Sequence, residues 1–242
     1  MSKFSTATGF YFNLGHFMVD CGMLNDFLSP ASCALKICGV TTTADAEALI
    51  ACGVDALGVN FYPKSKRYIT PADATEWLKS SAGRIVRVGV FVNADPSLPK
   101  QLLEDGLLDM VQFHGDEDLA YCQPFIDAKL PFIKAIGVNA ADSLNDIASY
   151  GANALLLDAP APGVYGGTGH TFDWNHARTF MQSHAEIPVM LAGGITPANA
   201  QEAVATVRPA CIDIASGAEI SPGIKDMDKV KAIQAAMLAA QA

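Results

Sequence analysis

The stretch ALKICGVTTTADAEALIACGVDALGVNF, residues 34–61, holds one complete folding unit. ALKIC is apolar except at Lys36 and too short for a typical globular helix. Three threonines follow, and ADAEALIACG then keeps helical spacing up to Gly53, where a glycine suits the position just past a helix end. A second apolar run, ALGVNF, completes the unit. Neither run alternates apolar and polar residues as a strand with one wet face would; runs apolar throughout belong to a parallel sheet covered by its own connecting helices.

The unit recurs to the end of the chain. IVRVGVFV (85–92), DMVQFH (109–114), PFIKAIG (131–137), ALLLDA (154–159), PVMLAGG (188–194) and CIDIAS (211–216) bring the strand-like runs to eight. Helix starts stand between them at Thr70-Pro71, Asp95-Pro96, Asp142 and Thr196-Pro197, and Gly106 and Gly151 close helical runs as Gly53 does. Eight units of roughly 25 residues fit a closed barrel better than an open doubly wound sheet. The expected fold is therefore α/β, a single (β/α)8 TIM barrel over residues 34–242 behind an N-terminal extension, residues 1–33.

The extension is aromatic-rich and ends at Ser29-Pro30. Asp20 and Asp26 interrupt its apolar residues and its basic start is one lysine, which excludes a signal peptide; it reads as an amphipathic helix from about Tyr11 to Leu28. No segment reaches the ~18 uninterrupted apolar residues of a membrane span. The formal charge of −9 argues against nucleic acid as a partner and for a small ligand held by local groups. Cys21, Cys33, Cys38, Cys52, Cys122 and Cys211 form no CxxC pair, so neither zinc nor a disulfide framework is expected, and the compartment reads as reducing and cytoplasmic. Cys52, Cys122 and Cys211 read as small buried hydrophobes.

In such barrels chemistry gathers where strands end. The ends present Cys38, Asn60 with Arg67 nearby, Asn93, His114, Gly137, Asp158, Gly193-Gly194 and Ser216-Gly217. A thiol, a carboxyl, a guanidinium and two glycine turns would share one mouth. Lys36, two residues before Cys38, would point to the same side and favour the thiolate.

KICGVT (36–41), FYPKSKRYI (61–69), VGVFVN (88–93), VQFHGDE (111–117), LLLDAPAPGVYGGTGHTFDW (155–174), LAGGITPANA (191–200) and IDIASGAE (212–219) together resemble the phosphoribosylanthranilate isomerase family of tryptophan biosynthesis. The resemblance runs from Leu35 to about the C-terminus. It implies an Amadori rearrangement of N-(5-phosphoribosyl)anthranilate to the deoxyribulose aminoketose, without metal or redox cofactor. Cys38 matches the family's general base, Asp158 its general acid, and Arg67 the arginine facing the anthranilate carboxylate. His114 would line the anthranilate side. Gly193, Gly194, Ser216 and Gly217 would hold the phosphate through backbone N–H groups, with a short helix after Ser216 aimed at it. The partner implied is a small phosphosugar, and the protein would be a monomer or homodimer.

Lys64 and Lys66 read as a solvated edge, and Asp173-Trp174 as helix start and packing. Ala215 stands where the family usually has a serine, Asn60 where an apolar or aromatic residue is more usual, and the extension has no counterpart; it would cover the barrel floor, mediate dimerisation, or reflect an early start codon. The related histidine-pathway isomerase carries an aspartate where this chain has Cys38. A barrel that merely binds a phosphorylated ligand has no need of an acid and a base together.

Overall fold

The computed structural model describes residues 21–138, 147–159 and 173–241. The expected helix from Tyr11 lies only partly within them; the helix start at Asp142 and the segment 160–172, expected to fold over a ligand, lie outside.

After a first helix, α1 (Cys21–Leu28), strands and helices alternate: β1 (Ala34–Cys38), α2 (Thr43–Ala51), β2 (Ala56–Asn60), α3 (Pro71–Ser80), β3 (Val86–Phe91), α4 (Ser97–Glu104), β4 (Met110–Phe113), α5 (Leu119–Asp127) and β5 (Phe132–Gly137). A 3-10 turn at Ile147–Tyr150 precedes β6 (Ala154–Asp158), α6 (Trp174–Ser183), β7 (Val189–Leu191), α7 (Ala200–Val207) and β8 (Cys211–Ile214). The chain ends in a small antiparallel pair, β9 (Glu219–Ser221) with β10 (Ile224–Lys225), and α8 (Met227–Gln241). Strands β1 to β8 pair in parallel, each with the next, and β1 pairs with β8 from Ala34↔Cys211 to Ile37↔Ile214, which closes the barrel. No described helix is long and apolar enough to cross a membrane.

Side chains alternate across each strand, so the barrel carries two apolar layers. Leu35, Ile37, Leu57, Val59, Val111, Phe113, Leu155 and Leu157 face out into the layer beneath the helices. Ala34, Ala56, Val86, Val88, Met110, Ile133, Ala135, Ala154, Leu156, Met190 and Cys211 face in. Being buried on both faces is what makes these strands read as unbroken apolar runs. Cys122 and Cys211 are buried and Cys52 is half-buried.

The helix starts follow their caps. Thr42 accepts a hydrogen bond from Asp45 N, Thr70 from Asp73 N with Pro71 at the first position, and Asp173 from Asn175 N. Two starts move downstream. Asp95 accepts from the backbone and hydroxyl of Ser97, so α4 begins there. Asn199 accepts from Thr196 N and donates to Gly194 O, which winds 196–199 into a separate turn before α7.

Helix α1 lies against the floor of the barrel: its Leu24 and Phe27 are buried in one cluster with the inward residues of the lower strands. The small Ala34, Ala56 and Ala154 at the strand beginnings leave a depression that these two larger side chains fill. Phe27→Ala is expected to cost about 3 kcal/mol of unfolding free energy. Turnover should be unchanged, because the floor is the end remote from the strand termini that carry the chemistry; urea titration alongside an activity assay checks both.

Candidate active site

The inward register places Cys38, His114 and Asp158 together at the C-terminal mouth. Cys38 ends β1 two residues after the inward Lys36, Asp158 ends β6 two after Leu156, and His114 follows β4 two after Gln112. A continuous chain of polar contacts crosses the barrel beneath them. The Lys36 ammonium, fully buried, donates to Asp213 Oδ1 at 2.9 Å and to Gln112 Oε1 at 3.0 Å. Gln112 Nε2 lies 2.8 Å from His114 Nδ1, and His114 Nε2 lies 3.2 Å from Asp158 Oδ2. Asp158 Oδ1 accepts from Ala159 N at 2.8 Å. His114, expected on the anthranilate side, is thus in direct contact with the candidate acid.

Lys36 serves a different end from the one its position suggests. Burial opposes its charge, but Asp213 outweighs burial and holds the ammonium above the ordinary lysine range. That charge is largely answered by Asp213, and the thiol feels the difference: burial pushes Cys38 up, Lys36 pulls it down, Asp213 raises it again, and Lys225 and Arg67 do not reverse the balance. At rest the candidate base is a thiol. Room for its sulfur comes from Gly58 on β2, where a Cβ would stand 2.7 Å from Cys38 Sγ.

Arg67 reaches the same mouth but not with a free fork. Its Nε and Nη2 donate to the two oxygens of Glu219 at 2.8 and 2.7 Å, and its aliphatic stem packs under Gly39. Glu219 also accepts from Lys225 Nζ at 2.7 Å and Gly223 N at 3.1 Å, and Lys225 donates to the carbonyl of Cys38 at 2.6 Å. Burial works against the Glu219 carboxylate, yet Arg67 and Lys225 hold it below the usual carboxylate range. One edge of the guanidinium is therefore committed within the protein, and the Nη1 side remains for any ligand. Lys64 and Lys66 are exposed.

The two glycine turns converge. Gly193 and Gly194 both have positive φ, at 86° and 62°, and a Cβ on Gly193 would stand 2.7 Å from Ala159 N and 3.1 Å from Asp158 Oδ1. A Cβ on Gly217 would collide with the carbonyl of Ile195, so the β7 and β8 loops lie against each other. The helix expected after Ser216 is a single 3-10 turn, Ser216–Ala218, because the chain must return at once into β9, where Glu219 meets Arg67. Asn60 accepts from Tyr62 N and shapes the second loop, and Asn93, at φ 50°, donates its N–H to Glu117.

Gln112, Asp213, Glu219 and Lys225 escape a reading of strand ends alone. Lys36, Gln112 and Asp213 did leave a trace: each is a polar residue inside an apolar strand at an inward register, a position that needs a partner. Glu219 and Lys225 left none, since their meeting depends on the β9–β10 return.

Residues 35–236 match the family model described as N-(5'phosphoribosyl)anthranilate (PRA) isomerase. An N-(5'-phosphoribosyl)anthranilate isomerase from Citrifermentans bemidjiense is 42% identical over 197 residues, covering 81% of this chain and 93% of that protein. One from Acaryochloris marina is 44% identical over 210 residues, covering 81% and 94%. Among solved structures, the phosphoribosyl anthranilate isomerase of Thermotoga maritima superposes with a TM-score of 0.75 at 36% identity over 85% of this chain and 98% of its own. Another solved phosphoribosyl anthranilate isomerase, holding reduced 1-(o-carboxyphenylamino)-1-deoxyribulose 5-phosphate, superposes with a TM-score of 0.72 at 34% identity over 86% and 98%. With the matched motifs lying at the strand ends of a closed eight-stranded barrel, the chain belongs to the phosphoribosylanthranilate isomerase family.

Proposed function

We propose that this chain converts N-(5-phosphoribosyl)anthranilate to 1-(2-carboxyphenylamino)-1-deoxyribulose 5-phosphate in tryptophan biosynthesis, with Asp158 as general acid and Cys38 as general base. The observation that carries the assignment of roles is the shared inward register of these two residues at the ends of β1 and β6, three strands apart round one mouth. Asp158 protonates the furanose ring oxygen, the bond from that oxygen to C1 breaks, and a protonated Schiff base forms. Cys38 takes the proton from C2 to give an enolamine, which gains a proton at C1 and loses one from its C2 hydroxyl to become the ketone. The raised thiol gives the steps their order: the iminium cation made by the acid is the charge that acidifies both the C2 proton and the nearby sulfur.

The Nη1 side of Arg67 faces the anthranilate carboxylate, with Glu219 fixing the opposite edge. His114 works behind Asp158. Backbone N–H groups of Gly193, Gly194, Ser216 and Gly217 receive the phosphate. Residues 34–242 form the catalytic barrel and 1–33 an added segment. The protein acts as a monomer or homodimer in the cytoplasm, where a free thiol stays reduced.

Decay of substrate fluorescence on adding the purified chain tests the activity. The pH dependence of Cys38 alkylation in the ligand-free protein, taken as the difference from Cys38→Ser, tests the resting base. Because burial raises the thiol, the rate should still be climbing about tenfold per pH unit through neutrality. A rate already level there would mean a thiolate present at rest and would contradict the resting state assigned to Cys38.

A further inference from the structure

We propose that Gln112 is a positioning residue that locks His114 in the tautomer with its proton on Nε2, and that this tautomer leaves the proton of Asp158 available to the substrate. The proposal rests on the assignment of Asp158 as general acid. It follows from donors and acceptors alone. An ammonium has protons to give and no lone pair, so the atom of Gln112 that Lys36 approaches at 3.0 Å is the amide oxygen. Asp213 keeps Lys36 protonated against the pull of burial, so this orientation does not reverse. The amide nitrogen then points at His114 Nδ1 from 2.8 Å, and it too only donates. Nδ1 must present its lone pair, and the single proton of the neutral ring sits on Nε2, facing Asp158 Oδ2 at 3.2 Å.

The two tautomers differ in what they do to the acid. Asp158 Oδ1 is occupied by the Ala159 N–H, so the carboxylic proton belongs on Oδ2. With Nε2 protonated, that hydroxyl accepts from the ring and is free to donate into the mouth. With the proton on Nδ1 instead, the Nε2 lone pair would capture the hydroxyl and turn it away from the sugar. After transfer to the ring oxygen, the same Nε2–H and the Ala159 N–H remain to stabilise the carboxylate; the imidazole keeps one proton throughout. A residue buried out of the substrate's reach thus sets the direction in which the acid discharges.

The test is the nitrogen-15 spectrum of the imidazole in the whole ligand-free protein, with the His114 signals identified by their loss in His114→Asn. The wild type is expected to show a protonated Nε2 and a bare Nδ1. Gln112→Glu, of nearly the same shape, puts an acceptor opposite Nδ1 and should move a proton there, with kcat lowered about a hundredfold and KM changed less than threefold. Should that variant not fold, Gln112→Met, which offers neither donor nor acceptor, should show a mixture of tautomers. A wild-type spectrum with the proton on Nδ1, or a Gln112→Glu enzyme with the proton moved and kcat unaltered, overturns the proposal. Near-normal turnover by Asp158→Asn would instead remove the acid assignment beneath it, whereas the spectrum reads Gln112's hold on the ring independently of turnover.

Discussion

Cys38→Ser and Asp158→Asn are each expected to lower kcat by roughly a thousandfold, the middle of the range for losing a positioned acid or base. Both replacements are close in shape, so the cause is chemical. A serine hydroxyl in this half-buried position holds its proton far more tightly than a thiol that burial has already raised, and no neighbour would take it: Lys36 is committed to Asp213 and Gln112, and Lys225 to Glu219 and the Cys38 carbonyl. Asparagine keeps the shape of Asp158 and can still accept from Ala159 N, but its amide nitrogen cannot accept from His114 Nε2–H and it has no acidic proton for the ring oxygen. KM should move only a few-fold in either variant, since the groups proposed to hold phosphate and carboxylate lie elsewhere. Steady-state fluorescence kinetics with unchanged thermal melts would confirm it; near-normal turnover by either variant discards that residue's role.

Glu219→Gln should be the most damaging single change to stability among the mouth residues, at about 3–5 kcal/mol, or roughly 10 °C in melting temperature. The carboxylate receives two hydrogen bonds from Arg67, one from Lys225 and one from Gly223 N, and the Lys225 side chain has no solvent contact. An amide of equal size leaves two cations with no countercharge and turns a donor toward one of them. Lys225→Met added to Glu219→Gln should recover part of the loss, because the stranded charge is then gone. Acid offers an independent check. Glu219 titrates lower in the folded protein than in the unfolded chain, so its stabilisation is complete above the unfolded value near 4.5 and is lost as pH falls through the folded one. The stability gap between wild type and variant should therefore narrow below about pH 4. A gap that stays constant, or a double variant no better than the single, would show that charge is not the cause.

The fold was legible because its main constraint is simple. A strand buried on both faces must be apolar throughout, and β1 and β6 fall where ALKIC and ALLLDA said they would, to within one residue. Capping was as plain wherever a side chain did the work, at Thr42, Thr70 and Asp173; it slipped where Asn199 spun an extra turn that residue type alone does not announce. At the mouth, the location of Cys38, Asp158 and His114 followed from strand ends, but their electrostatic states did not. Whether Lys36 activates a thiol or neutralises an aspartate depends on Asp213, 177 residues away and brought alongside only when β8 closes on β1. The partner of Arg67 was hidden for the same reason: Glu219 arrives through a reversal of chain after β8 that no periodicity marks.

The helix beneath the barrel has a practical side. With Leu24 and Phe27 seated among the lower inward residues, the packed interior between the strands is closed at its bottom by a separate piece of chain. Eight helical residues span only about 12 Å, so the amino-terminal end of that piece cannot lie far from the base. An attachment made at this helix itself would therefore hold the molecule by its foot, with the rim turned toward the solution.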